Sequence, residues 1–162
     1  MIIHSEQEMI DFGERFADYL NGRTTDLGGL PQNTRGRRLW EGKIRQDPPA
    51  NIVIELIGDV GAGKTTFVRG FAKGLGVEEP VTSPSFTISK QYALPDGKCL
   101  VHYDFYRLPD PGLMSEDLQE SINNPNTITV IEWADSVSGF LPSNHAVIKI
   151  SYNDDGSRTI ML

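Results

Sequence analysis

Gly58-Asp59-Val60-Gly61-Ala62-Gly63-Lys64-Thr65 fits the pattern Gly-x-x-x-x-Gly-Lys-Thr/Ser at every fixed position. Glycines let the backbone turn inward, so that consecutive N–H groups point into one concavity. A helix after the loop adds its positive N-terminal end. The chemistry this predicts is the binding of a nucleotide polyphosphate. Asp59, Val60, Gly61, Ala62, Gly63, Lys64, Thr65 and Thr66 form the candidate cradle. Lys64 is expected on the β- and γ-phosphates, and the Thr65 hydroxyl on Mg²⁺. The plainer reading is an ordinary glycine-rich turn between a strand and a helix, but the hydrophobic run before it and the amphipathic run after it favour the phosphate site.

Hydrolysis at such a site needs a carboxylate at the end of a second strand. Ile128-Thr129-Val130-Ile131-Glu132 supplies one. Glu132 is the candidate for holding a magnesium-bound water or polarising the attacking water. Asp104, at the end of the run from Leu100, is a second candidate, and the alternative for it is a cap on the turn Phe105–Arg107. Lys64, Asp104 and Glu132 are therefore the candidate catalytic residues, and Thr65 and Glu132 the candidate metal ligands. Thr82-Ser83-Pro84-Ser85-Phe86-Thr87 is rich in hydroxyls. A loop at this position in nucleotide switches senses the γ-phosphate, which makes Ser83 and Ser85 switch-loop candidates. Arg107 can serve transition-state charge or a structural ion pair. His102 reads as a strand residue with a satisfied ring, Trp133 as packing near the site or a platform for the base, and Cys99 as a small core residue.

The elements that must position these groups follow from periodicity. Ile2-Ile3 can start a strand. Ser5 with Glu8 three residues later is a capping box, and Met9, Phe12, Phe16, Tyr19 and Leu20 share one helical face up to Gly22. Ile52–Ile57 reads as a buried parallel strand, and 64–75 as a helix with Gly76 as its stop. Phe86–Ala93 and Cys99–Phe105 flank Pro95-Asp96-Gly97 and read as a hairpin. Leu113–Ile122 reads as a short helix broken by Asn123-Asn124-Pro125-Asn126, followed by a strand at Thr127–Ile131. His145–Tyr152 and Arg158–Leu162 flank Asn153-Asp154-Asp155-Gly156 as a second hairpin. The expected fold is a three-layer α/β sheet with parallel core strands and antiparallel strands at its edges. Its 162 residues suit one domain.

Net charge is −7, but residues 21–50 carry six basic and three acidic side chains, five glycines and three prolines. That stretch reads as a basic loop or insertion, with a short hairpin around Arg38–Ile44. It is inert, a partner contact or a nucleic-acid contact through Arg35, Arg37 and Arg38; the first two are favoured. The single cysteine fits a reducing compartment. No run resembles a secretory leader or a membrane span, so a cytoplasmic protein is expected.

Taken together these motifs resemble the TsaE family. The resemblance rests on Gly58–Phe67 with Arg69-Gly70, on Ser83-Pro84-Ser85-Phe86-Thr87, on His102-Tyr103-Asp104-Phe105-Tyr106-Arg107-Leu108, and on Val130-Ile131-Glu132-Trp133. It covers most of residues 1–20 and 51–135. Ser85 stands where the family usually has threonine, and the stretch 21–50 is longer than the family's link. The resemblance implies a Mg²⁺-dependent ATPase that binds ATP or ADP and works with TsaB and TsaD in making threonylcarbamoyladenosine in transfer RNA. It implies slow hydrolysis alone and activation by those partners, with tRNA reached only through the complex. Rival readings are a P-loop kinase of a small metabolite, a GTPase, and a nucleotide-gated scaffold without a catalytic role. Residues 108–126 contain no arginine for a kinase lid, and no Asn-Lys-x-Asp motif for guanine occurs.

Overall fold

The run Ile52–Ile57 is almost wholly apolar, so it can be buried on both faces only if helices cover both sides of its sheet. A computed structural model of the protein, which describes residues 1–24, 27 and 51–162, shows this arrangement. The elements are β1 (Ile2–Ile3), α1 (Glu6–Leu20), β2 (Ile52–Ile57), α2 (Lys64–Leu75), β3 (Ser89–Ala93), β4 (Cys99–Asp104), α3 (Met114–Asn123), β5 (Thr127–Glu132), a 3₁₀ segment (Ala134–Phe140), β6 (Ala146–Tyr152) and β7 (Arg158–Met161). The expected hairpin around Arg38–Ile44 and most of the 21–50 stretch lie outside the described residues.

The strands form one sheet in the order β1-β7-β6-β2-β5-β4-β3. β2 is parallel to β5 and β6, and β5 is parallel to β4. β3 joins β4 antiparallel at one edge; β7 joins β6 and β1 joins β7 antiparallel at the other. The expected parallel core with antiparallel borders is thus present. Two apolar cores lie on the two faces. Ile54, Leu56, Leu100, Ile128, Val130 and Ile148 meet α1 and α2, whereas Val53, Val101, Tyr103 and Ile131 meet α3 and Val137 of the 3₁₀ segment.

α1 starts as its sequence predicts. Ser5 Oγ accepts from the Glu8 amide at 3.1 Å, and Glu8 reaches back to the His4 amide, one residue before the cap, at 2.9 Å. Phe12, Phe16, Phe67 and Phe71 interlock α1 with α2. The helices touch at backbone distance. A Cβ on Gly13 would sit 2.4 Å from the Phe67 carbonyl oxygen, and one on Gly70 2.0 Å from that of Ile10. This glycine contact fixes the helix that follows the glycine-rich loop, and nothing in the periodicity of α1 or α2 announced it.

Two boundaries depart from expectation. The strand expected from Phe86 begins at Ser89. Residues before it form a turn in which the Thr87 and Ile88 amides both donate to the Pro84 carbonyl, at 2.9 and 2.6 Å, and the Phe86 side chain is fully exposed. Hydrogen bonds of Ser83 and Ser85 to Asp104 hold that turn away from the sheet edge. The 3₁₀ segment after Trp133 had no apolar repeat to reveal it. Among the described residues no helix is long and apolar enough to cross a membrane.

Candidate functional site

The C-terminal ends of β2, β4 and β5 and the first turn of α2 converge on one rim of the sheet. The loop from Gly58 to Gly63 joins β2 to α2, with Gly61 and Gly63 at φ 79° and 110°, a region that side chains strain to enter. Its lysine is turned onto the loop. Lys64 Nζ donates to the carbonyl oxygens of Gly58 (2.7 Å) and Asp59 (2.9 Å) and lies 4.4 Å from the centre of the Trp133 ring. The side chain is 4% exposed, and Glu132 Oε2 is 3.9 Å from its amine. Burial lowers the Lys64 pKa; the charges of Glu132, Asp104 and Asp59 oppose that shift without cancelling it.

The register of β4 and β5 sets the two carboxylates side by side, Asp104 opposite Glu132. Both are buried. Glu132 Oε1 accepts from the Thr65 hydroxyl at 3.0 Å and from His102 Nε2 at 2.9 Å. Asp104 is held differently. Its Oδ1 accepts the Tyr106 amide at 2.9 Å, the turn cap that the sequence offered as an alternative. Its Oδ2 accepts from Ser85 Oγ and, at 3.3 Å, from Ser83 Oγ. One carboxylate therefore joins the turn after β4 to the hydroxyl loop 82–87.

Lys64, Thr65, Asp104, Glu132, Ser83 and Ser85 thus come together in one constellation. Arg107 does not enter it. Its exposed side chain lies 4.8 Å from the centre of the Tyr106 ring, and its backbone takes φ 62°. Trp133, at φ 58°, is half-buried between Lys64 and Tyr106, whose ring centre is 4.9 Å away. Cys99 is half-buried with a free thiol. The expectation of a satisfied ring for His102 holds for one nitrogen only, because Nδ1 has no hydrogen-bond partner among the described residues. The signal for its place was present, since His102 and Asp104 are two apart on one strand and must share a face.

The donor set suits a small hard cation. Among the described residues no group of three His, Cys, Asp or Glu side chains is arranged to hold a metal by itself. One hydroxyl and one adjoining carboxylate, Thr65 and Glu132, are what Mg²⁺ uses when water and substrate phosphate supply its other ligands. Beside the loop, a cavity of about 250 Å³ is lined by Gly61, Gly63 and Thr66 on one side and by Glu6, Met9 and Arg158 on the other. Neither Asp104 nor Glu132 lines it.

A tRNA threonylcarbamoyladenosine biosynthesis protein TsaE from Haemophilus influenzae is 35% identical over 120 residues, which cover 74% of this chain and 75% of that protein. The protein of the same name from a Nostoc species is 41% identical over 113 residues, covering 67% and 68%. The crystal structure of Bacillus subtilis YdiB superposes with a TM-score of 0.65 at 28% identity, over 99% of this chain and 80% of that one. The family described as threonylcarbamoyl adenosine biosynthesis protein TsaE matches residues 3–160, nearly the whole sheet together with the glycine-rich loop, and the chain therefore belongs to the TsaE family.

Proposed function

We propose that this protein is a Mg²⁺-dependent ATPase of the cytoplasm that binds and hydrolyses ATP in support of threonylcarbamoyladenosine modification of tRNA, acting in a complex with TsaB and TsaD. The family membership supports the pathway. The contact of Thr65 with Glu132 at the mouth of the phosphate loop is the single observation that carries the chemistry.

The loop amides and Lys64 bind and orient the polyphosphate, exchanging the Lys64 bonds to Gly58 and Asp59 for phosphate oxygens. Thr65 and Glu132 would hold Mg²⁺, which neutralises phosphate charge when bound. The reaction is attack of water on the γ-phosphorus. The new P–O bond forms as the bond to the β–γ bridging oxygen breaks, and the water's protons leave with phosphate and medium. Glu132 or Asp104 accepts the hydrogen bond of that water. Thr65 and His102 occupy Oε1 of Glu132, while two hydroxyls and an amide occupy Asp104. Both carboxylates are thus engaged by donors of the chain itself, and the Arg107 guanidinium lies over the Tyr106 ring. Slow turnover by the isolated protein follows, with partner proteins completing the site and the loops around Ser83–Thr87 and Asp104–Arg107 reporting the nucleotide state.

The test is phosphate release from ATP with and without TsaB and TsaD, for wild type, Lys64→Ala and Glu132→Gln. A slow basal rate raised by partners and abolished by both substitutions upholds the ATPase. Tight ATP binding through Lys64 without partner activation would favour the kinase reading. Intact tRNA modification in Glu132→Gln would favour the scaffold reading.

A further inference from the structure

Strand alternation places a third polar group behind the two carboxylates. Leu100 of β4 and Ile128 and Val130 of β5 face the α1–α2 core, while Val101, Tyr103 and Ile131 face the other. His102 therefore shares its face with Leu100 and Asp104. It pairs in register with Val130, one pleat below the level at which Asp104 pairs with Glu132. Its exposure is 0%.

At this floor an aliphatic side chain would pack against Leu100 and Val130 without any polar cost. The histidine instead buries two nitrogens, one of which, Nδ1, has no partner among the described residues. The other, Nε2, is 2.9 Å from Glu132 Oε1. A carboxylate only accepts hydrogen bonds, so Nε2 carries the hydrogen. Thr65 donates to the same oxygen. Two donors from different elements, Thr65 at the start of α2 and His102 on β4, hold Oε1, and Oε2 lies 3.9 Å from Lys64 Nζ.

We propose that His102 is a positioning residue for Glu132: its Nε2–H, presented from the buried floor of β4, sets the carboxylate orientation used in turnover. This rests on the role given to Glu132 above. It touches neither nucleotide nor reacting atoms.

The test uses the full chain with TsaB and TsaD. His102→Phe keeps a ring and loses the donor; His102→Gln keeps an N–H. His102→Phe lowers kcat on the order of 10- to 100-fold with KM for ATP within about twofold, since misplacement of an aligned group costs that much. His102→Gln recovers most of the rate. Nitrogen NMR of the imidazoles, with His102 assigned by its loss in His102→Gln, shows the hydrogen on Nε2 in the nucleotide-free protein and slow exchange with solvent. That slow exchange is lost in Glu132→Ala. Unchanged kcat in a folded His102→Phe, loss without rescue by His102→Gln, or a hydrogen on Nδ1 would each overturn the assignment. Absence of turnover in wild type with Nε2 protonated would overturn the ATPase reading and the catalytic part of this proposal, but not the orienting bond.

Discussion

The Thr65 hydroxyl donates to Glu132 Oε1 at 3.0 Å and so ties the first turn of α2 to the end of β5, 67 residues further along the chain. Thr65→Ser keeps the hydroxyl and should bind Mg·ATP close to wild type. Thr65→Val removes it at nearly constant shape and should weaken Mg·ATP binding by about tenfold, the equivalent of ~1.4 kcal/mol, while leaving Mg-free ATP binding almost unchanged. Calorimetric titration with and without Mg²⁺ measures both. Equal losses under the two conditions would remove Thr65 from the metal site.

Lys64 gives the protein an alkaline signature. Burial lowers its pKa below the ordinary 10.5, against the pull of Glu132, Asp104 and Asp59. In the unfolded chain the amine keeps its proton to higher pH. Between the folded pKa and 10.5 the unfolded state therefore binds more protons, and this group's contribution to stability rises with pH. Denaturant titrations of wild type and Lys64→Met from neutral pH toward 10.5 should show wild type gaining relative to the variant. A difference that stays flat contradicts the shift.

Ser85 and Asp104 should behave as one unit. Ser85 Oγ donates to Asp104 Oδ2, and the Thr87 and Ile88 amides close the turn on the Pro84 carbonyl. Ser85→Ala and Asp104→Asn should couple by roughly 0.5–3 kcal/mol in a double-mutant cycle. Each should speed hydrogen exchange at the Thr87 and Ile88 amides. Additive effects with unchanged exchange would show that the loop keeps its shape without the carboxylate.

The glycine contact between α1 and α2 carries a stability prediction. A methyl at Gly70 meets the Ile10 carbonyl oxygen at 2.0 Å, a backbone atom that moves only if the helices separate. Gly70→Ala should cost roughly 1–3 kcal/mol through overpacking, despite alanine's better helix propensity. For a chain of this size that lowers the melting temperature by about 2–4 °C per kcal/mol. Separation of the helices would also move the phosphate loop, so ATP affinity should fall with it. A more stable Gly70→Ala protein would mean that propensity outweighs the contact.

Much of this architecture was legible along the chain. The Ser5 cap, the apolar stripe of α1, the β-branched runs of β2 and β5 and the turn Pro95-Asp96-Gly97 are local signals, and each element lies where those signals put it. The misread strand start at Phe86 has a tertiary cause. Phe86 and Ile88 have the composition of a strand, but Asp104 recruits Ser83 and Ser85, and the segment turns instead.

The sequence by itself determined the glycine-rich loop with its lysine and threonine, the identities of the carboxylates at two strand ends and the resemblance to the family, because these depend on residue type and short spacing. Only the tertiary structure decided that β5 lies beside β2, which brings Glu132 onto Thr65, and that β4 lies in parallel register beside β5, which sets Asp104 opposite Glu132 and His102 beneath it. It also decided that Gly13 and Gly70 meet at a helix crossing. Periodicity encodes which face of an element is apolar, but not which distant element covers that face. That choice is made by pairing and packing between residues far apart in the chain.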